Sequence, residues 1–393
     1  MSNLINSFRN IFSTVEQISP GIYHYQAPPD DPRNYRLHLR VEADGVGILI
    51  INASTVLHLN ETATEYAFYF VKNLPLEDVI RKMTQRYRVD PQQAKNDYLD
   101  FTDRLLTIIE MPDLDPVTFL DFSRQQPYSS QISAPYRLDC AITYQLPPSA
   151  DPSAAPTKSV TRELSTKEWV SILEKAWQAG IPHVIFTGGE PTLREDLSEL
   201  IATAEKLGQV SGLLTDGYRF QDKVYLDRLL QTGLDHLMIL LHPDDEKSWD
   251  AVQIPLPEDI YVAVHHTVTG ENLEQEKSII DRLATIDINA VSLSINDSVL
   301  KDTLYKLTTY AASQGLSLVW DIPVPYSSLN PVNLEIPNNE LVEGAGRAWL
   351  YVEPDGDVLP AQGANQILGN LVNDSWGQVW SSTKNKVRTS EVS

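Results

Sequence analysis

One cysteine, Cys140, is all the thiol that 393 residues offer. That count excludes an intrachain disulfide. A chain of this length needs none, and their absence is in keeping with the cytoplasm expected here. Positive charge is also scarce: 31 Lys and Arg stand against 53 Asp and Glu, a formal charge of −22. Such an excess of anions repels phosphate backbones and acidic lipids, which argues against nucleic acid and against an electrostatic membrane anchor. No apolar run reaches the roughly 18 residues of a spanning helix, so no membrane insertion is expected. The start, Met1 to Asn6, lacks the charged-then-apolar pattern of a secretory signal. G-x-G-x-x-G, P-loop and G-x-S-x-G motifs are missing too.

What remains suffices for a folded protein. Hydrophobic residues make up 42% and charged residues 21%, which rules out a wholly disordered chain. The length allows about two or three domains. Residues 1–17 read as a helical or loose lead-in. In residues 18–112, Tyr35 to Val41 alternates as a half-buried strand does, Asp44-Gly45 marks a turn, Gly47 to Asn52 returns, and Val56 to Leu59 adds a third strand. Helices are predicted over 61–72, with Thr62 and Thr64 near its start, 76–87 and 91–109, the last opened by Asp90 as N-cap and Pro91 in the first turn. Residues 113–136 form a polar, proline-bearing bridge.

Across 137–330 strands and helices alternate, the signature of a parallel sheet or barrel. The strands fall at 138–143, 184–186, 211–214, 236–241, 261–268, 290–295 and 316–320. Between the first two a helix spans Thr166–Ala179, with Ser165 and Glu168 as a capping box and Gly180 as its stop. Residues 147–163 read as a Pro-, Ala- and Ser-rich loop. In 331–380, Trp349 to Pro360 reads as a hairpin turning at Asp355-Gly356. The tail, 381–393, is polar and expected to fray.

The strongest local signal is Phe186-Thr187-Gly188-Gly189-Glu190-Pro191-Thr192, between a strand and a helix. Two glycines let a backbone approach a ligand closely, Pro191 stiffens the turn, and Glu190 at a strand end can accept from an ammonium group. Ligands bind at this end of a β/α barrel. A tight turn with a solvated Glu explains the same residues equally well.

Thr187 to Pro191 resembles the GGEP motif of radical SAM enzymes, which holds the methionine end of S-adenosyl-L-methionine (SAM). Leu138 to Tyr144 resembles that family's first strand, and Leu214-Thr215-Asp216-Gly217 its TNG turn with Asp for Asn. The hairpin together with Leu368-Gly369-Asn370-Leu371 is similar to the C-terminal extension called SPASM or twitch. Residues 18–112 resemble the PqqD-like element, a winged helix-turn-helix that grips the leader of a precursor peptide. The resemblance implies a partial (β/α)6-type parallel barrel, TIM-barrel-like, with an N-terminal winged-helix α+β domain and a small hairpin extension. It also implies a remnant SAM site at Gly188, Gly189, Glu190, Pro191, Thr215 and Asp216.

The family places a CxxxCxxC run after its first strand, and three thiolates hold a [4Fe–4S] cluster. The corresponding positions here are Leu146, Ala150 and Ser153, and Ala361 stands where the extension often has cysteine. Taking Cys140 as first ligand would put Tyr144 and Pro147 at the others; a small buried apolar role suits it better. After the fourth strand, Leu240-Leu241-His242 replaces the polar residues that commonly touch SAM.

Other candidates are weaker. His265 and His266 are adjacent on a strand and face opposite ways, so they cannot chelate one metal together. His265 would need Glu190, His242 or Asp321, and a satisfied core histidine is the commoner case. His183 is expected to pack at the barrel floor, Asp244-Asp245-Glu246 to start a solvated helix, and Trp320 and Asp321 to sit as core and cap near the mouth, where they could otherwise bind a peptide. No metal site, no catalytic residue and no [4Fe–4S] cluster are expected, with SAM left open.

Three functions follow. The first is a cluster-less pseudoenzyme that binds a peptide leader or partner protein during peptide modification, a cysteine-bearing radical SAM enzyme doing the chemistry. The second is a SAM- or nucleotide-binding enzyme with non-radical chemistry, and the third a structural subunit of a larger complex. The balance of these expectations runs against an enzyme, radical SAM chemistry being beyond the chain alone.

Overall fold

The computed structural model describes residues 18–28, 30–111, 132–148, 150–270, 272–320, 322–332 and 341–389. The lead-in, most of the bridge and Asp321 lie outside them. The chain divides into two compact units, 1–133 and 134–393.

The first unit is an antiparallel meander followed by three helices. Its strands are β1 (Gly21–Gln26), β2 (Arg36–Val41), β3 (Gly47–Ile51) and β4 (Thr55–Leu59), in the order β1-β2-β3-β4. β1 was not among the expected strands, although Tyr23 and Tyr25 alternate with polar residues. Gly45 takes φ +88° in the turn between β2 and β3, the left-handed conformation that suits glycine. The helices are α1 (Glu61–Val71), α2 (Leu76–Arg86) and α3 (Pro91–Glu110). Asn60, rather than either threonine, caps α1 by accepting from the Ala63 N–H at 2.9 Å; Asp90 caps α3. Leu37, Leu39, Leu49, Leu57 and Leu59 on one sheet face meet Ala67, Val71, Leu105 and Ile108 of α1 and α3 in one core. A second core, around Tyr66, Tyr69, Val79, Met83 and Tyr98, joins the three helices.

The second unit holds six parallel strands in sequential order: β5 (Arg137–Thr143), β6 (His183–Gly188), β7 (Val210–Thr215), β8 (His236–Leu241), β9 (Tyr261–Val268) and β10 (Ala290–Ile295). Helices α4 (Thr166–Ala179), α5 (Leu197–Leu207), α6 (Lys223–Leu230), α7 (Glu246–Gln253), α8 (Leu273–Ala284) and α9 (Lys301–Ser313) alternate with them. This is the expected α/β architecture with the parallel strands of a partial barrel. Both halves of the capping box at Ser165 and Glu168 form, and Gly180 ends α4 at φ +86°. On the other side of β5 the sheet continues through β11 (Trp349–Val352), β12 (Asp357–Leu359) and β13 (Gly369–Asn370).

Two expectations are corrected. Residues 316–320 form no full strand: Leu318 makes one bridge to Val291, and Trp320 is 54% exposed. Among the described residues β10 alone is offered as a neighbour, and Pro323 and Pro325 just beyond have no N–H to donate. In the tail, residues 381–389 continue α10 (Trp376–Thr389), with Thr383 buried, and 390–393 lie outside the described residues.

Candidate functional site at the barrel mouth

Strand register sets the inward-facing side chains. Ile185, Leu214, Met238, Ala263 and Ala290 form an apolar layer inside the barrel. Two residues further along each strand, on the same face, stand Thr187, Asp216, Leu240, His265 and Ser292. This upper layer is mostly polar. His265, 1% exposed, holds Ser292 Oγ at 3.0 Å through Nδ1, and Ser294 Oγ and Thr267 Oγ1 at 3.0 and 3.3 Å through Nε2. Burial, with His266 adding, pushes the His265 pKa down to about 3, so the ring is neutral. The expected metal partners Glu190 and His242 are not among these contacts, and Asp321 lies outside the described residues. Thr187, fully buried, has a hydroxyl with no hydrogen-bond partner among the described residues.

The GGEP segment braces two strands. Glu190, 3% exposed, accepts at Oε1 from the Thr192 N–H (2.9 Å), the Thr192 hydroxyl (2.5 Å) and the Thr215 hydroxyl (2.7 Å), and at Oε2 from the Asp216 N–H (2.8 Å). Desolvation, reinforced by the neighbouring Glu190 charge, raises the Asp216 carboxyl pKa. Pro191 opens a short 3-10 turn. The glycines are needed by the chain's own backbone. A Cβ on Gly188, at φ +134°, would stand 2.0 Å from the Thr143 carbonyl oxygen, and one on Gly189 2.2 Å from that of Gln145. Through them the Gly189 N–H reaches Thr143 O at 2.9 Å and the Glu190 N–H reaches Gln145 O at 2.8 Å. The structure thus brings together Gly188, Gly189, Glu190, Pro191, Thr215 and Asp216, and a fold requirement explains much of the motif.

The residues at the cluster positions do not come together as ligands. Leu146 packs into an apolar group of Ala141, Tyr144, Ala155, Tyr326, Tyr351 and Leu359. Ala361 packs with Ala345 and Trp349. Ala150 sits in a turn and Ser153 is exposed. Cys140 is fully buried and pairs in register with Phe186, on the face opposite Ile185. Burial, with Asp139 nearby, pushes its thiol pKa up, the reverse of what a thiolate ligand needs.

The remaining candidates are scattered. His183 and His236 meet with Nε2 atoms 3.3 Å apart at the opposite end of the barrel. His266 turns outward to Glu276, 2.6 Å away. Asp245 caps α7 and accepts from the Tyr218 hydroxyl, and Tyr218 stacks on His242. Among the described residues one group of carboxylates lies close together, Glu353, Asp355 and Asp357 at the β11–β12 turn. Sequence reasoning missed the hydroxyls of Thr267, Ser292 and Ser294. Their signal was the alternation in His265-x-Thr267 and Ser292-x-Ser294, set beside His265 by parallel pairing.

Residues 140–295 match the sequence profile of the Radical SAM superfamily. That span runs from within β5 to the end of β10. SuiB of Streptococcus suis is similar in fold. Its structure bound to S-adenosylmethionine shares 15% identity over 91% of this chain and 88% of that one, with a TM-score of 0.57. SuiB bound to the precursor peptide SuiA gives 15%, 91%, 88% and 0.59. The match overturns the expectation against an enzyme, since the Radical SAM domain is that of an enzyme superfamily. Its cluster is another matter. Three thiolates are needed, one cysteine exists, and the donor set therefore does not fit a [4Fe–4S] group. Among the described residues no helix is long and apolar enough to cross a membrane.

Proposed function

We propose that this chain is a peptide-modifying enzyme or enzyme component whose N-terminal unit takes an extended peptide and whose Radical SAM domain holds SAM without a cluster of its own. The observation that carries the reading is a groove of about 340 Å³ beside β4, lined by Leu57, Leu59, Ala63, Tyr66, Phe101 and Leu105 among others. Among the described residues β4 has β3 alone as a strand neighbour, so its other edge can accept a further strand. The resemblance of residues 18–112 to a PqqD-like element, and the fold shared with SuiB, which binds SuiA, support the same reading.

In the barrel, Thr187, Thr267, Ser292 and Ser294 would orient the polar parts of SAM, with Asp216 beside them. The orphaned Thr187 hydroxyl supports a polar ligand there, because a buried hydroxyl ordinarily finds a partner. SAM supplies an electrophilic sulfonium for polar group transfer, and the apolar packing around Leu146 keeps water from that side. The cytoplasm and a cysteine-bearing enzyme partner belong to the same proposal.

Two titrations of the full chain test it. The short peptide encoded beside its gene is expected to bind saturably, and Ala63→Phe, which fills the groove, to abolish that binding. SAM is expected to give measurable heat that Ser294→Ala weakens. Absence of heat at millimolar SAM would remove the barrel half of the proposal, and peptide binding indifferent to Ala63→Phe the other half.

A further inference from the structure

The groove beside β4 has a charge character that bears on what enters it; this inference rests on the peptide-binding reading above. Its lining includes three charged side chains, Asp97, Asp100 and Arg104, all on α3. Arg104 is engaged by Asp100, with Nε and Oδ2 3.0 Å apart. That pair cancels. Asp97 is hydrogen-bonded instead to the neutral amide of Gln93, at 2.6 Å. Next to it stands an aromatic wall. Tyr66 and Phe101 lie with ring centroids 5.9 Å apart, and Tyr66 and Tyr98 5.7 Å apart. Asp97 is near enough to Tyr66 to help raise the phenol pKa to about 12, behind the larger effect of burial.

Among the described residues Asp97 has no cationic partner, and a carboxylate of that kind beside aromatic rings at the mouth of an apolar groove is the environment that an ammonium or guanidinium group occupies. It gains an ion pair on one side and a cation–π contact on the other. The rest of the wall, Leu57, Leu59, Ala63 and Leu105, suits aliphatic side chains, and a strand added to β4 presents such side chains at every second position. The charge of the whole chain, −22, acts in the same direction at longer range.

We infer that the peptide taken by this groove is basic: an extended segment with apolar residues at alternate positions and a Lys or Arg seated against Asp97, Tyr66 and Phe101. An acidic leader would meet an uncompensated carboxylate and be rejected.

The test is selection of a displayed library of random 12-residue peptides on the full-length protein. One enriched peptide is then synthesised for anisotropy titration and amide hydrogen exchange. Enriched sequences are expected to carry Lys or Arg at a fixed spacing from an apolar residue and to slow exchange in β4. Asp97→Asn is expected to weaken the synthetic peptide about tenfold at 50 mM NaCl, and less than about threefold at 500 mM, as screening predicts for an exposed pair. Neutral or acidic enriched peptides that still protect β4 would overturn the basic preference and leave the groove in place. Failure to enrich, or protection confined to residues elsewhere, would overturn the groove as a peptide site.

Discussion

On the β5 side of the barrel mouth Tyr144, Leu146, Ala155, Tyr326, Tyr351 and Leu359 pack against one another, whereas on the β9–β10 side His265, Thr267, Ser292 and Ser294 form a hydrogen-bonded polar layer. Strand alternation builds the second side, whereas most of the first comes from loop residues that follow β5 and precede β11. They differ in what is left for a ligand. On the β5 side apolar and aromatic side chains contact one another. On the β9–β10 side three hydroxyls meet the His265 ring, and on β6 the buried Thr187 hydroxyl lacks a partner among the described residues. One side of the mouth is thus closed by apolar and aromatic packing, while the other presents hydrogen-bonding groups.

The largest effect expected is at the seam between the halves. Gly189→Ala would drive a Cβ to 2.2 Å from a backbone oxygen, which no side-chain movement relieves. A loss of about 4 kcal/mol or more is expected, or a barrel that does not fold, measured by urea denaturation. A loss below about 1 kcal/mol would mean that the glycine is kept for a ligand instead. Next in size is Tyr326→Ala on the closed side, where a side chain 4% exposed packs edge-on against Tyr144. It should cost about 3–5 kcal/mol, as aromatic truncations in packed cores do. Ser294→Ala on the polar side should cost less than about 1 kcal/mol. Similar costs for the two would erase the contrast between the sides.

Much of this was legible in the sequence because it is local. β8, β9, β10 and α4 begin and end where alternation, the capping box and Gly180 put them. β1 escaped, because Tyr23 and Tyr25 pack against Tyr35, Phe68 and Phe70, partners a single strand does not reveal. The turn of the GGEP segment was legible and its cause was not. The glycines read as room for a ligand, and they turn out to be room for the carbonyls of Thr143 and Gln145, which lie more than 40 residues earlier in the chain. The absence of thiolates needed only counting. That Leu146 and Ala361 each join an apolar cluster required the spatial neighbours. The polar layer around His265 was visible only as two alternating pairs, and pairing in register made it one site.

A smaller test uses pH. The His265 pKa is lowered by burial from 6.5 to about 3, so the unfolded chain binds a proton that the folded chain refuses. Stability from this group is present above pH 6.5 and is lost as pH falls toward 3, about 2 kcal/mol of it by pH 5. Replacing His265 with Gln should flatten that slope between pH 7 and 5. An unchanged slope would place acid sensitivity elsewhere, with His236, whose pKa burial lowers to about 4, the next group to replace.

One further small effect is the one whose sign decides most. Thr187→Val keeps the shape of the side chain and removes the unpartnered hydroxyl. A buried hydroxyl without a partner costs roughly 1–3 kcal/mol, so without ligand the variant should be more stable by about 1 kcal/mol once relaxation is allowed for. If the polar half of the mouth is a working site, the same variant should bind SAM several-fold more weakly and lose the rise in melting temperature that SAM gives the parent chain. A variant less stable than its parent would mean that the hydroxyl is already satisfied, by a buried water for example. The contrast between the closed and open halves would then rest on the layer around His265 alone.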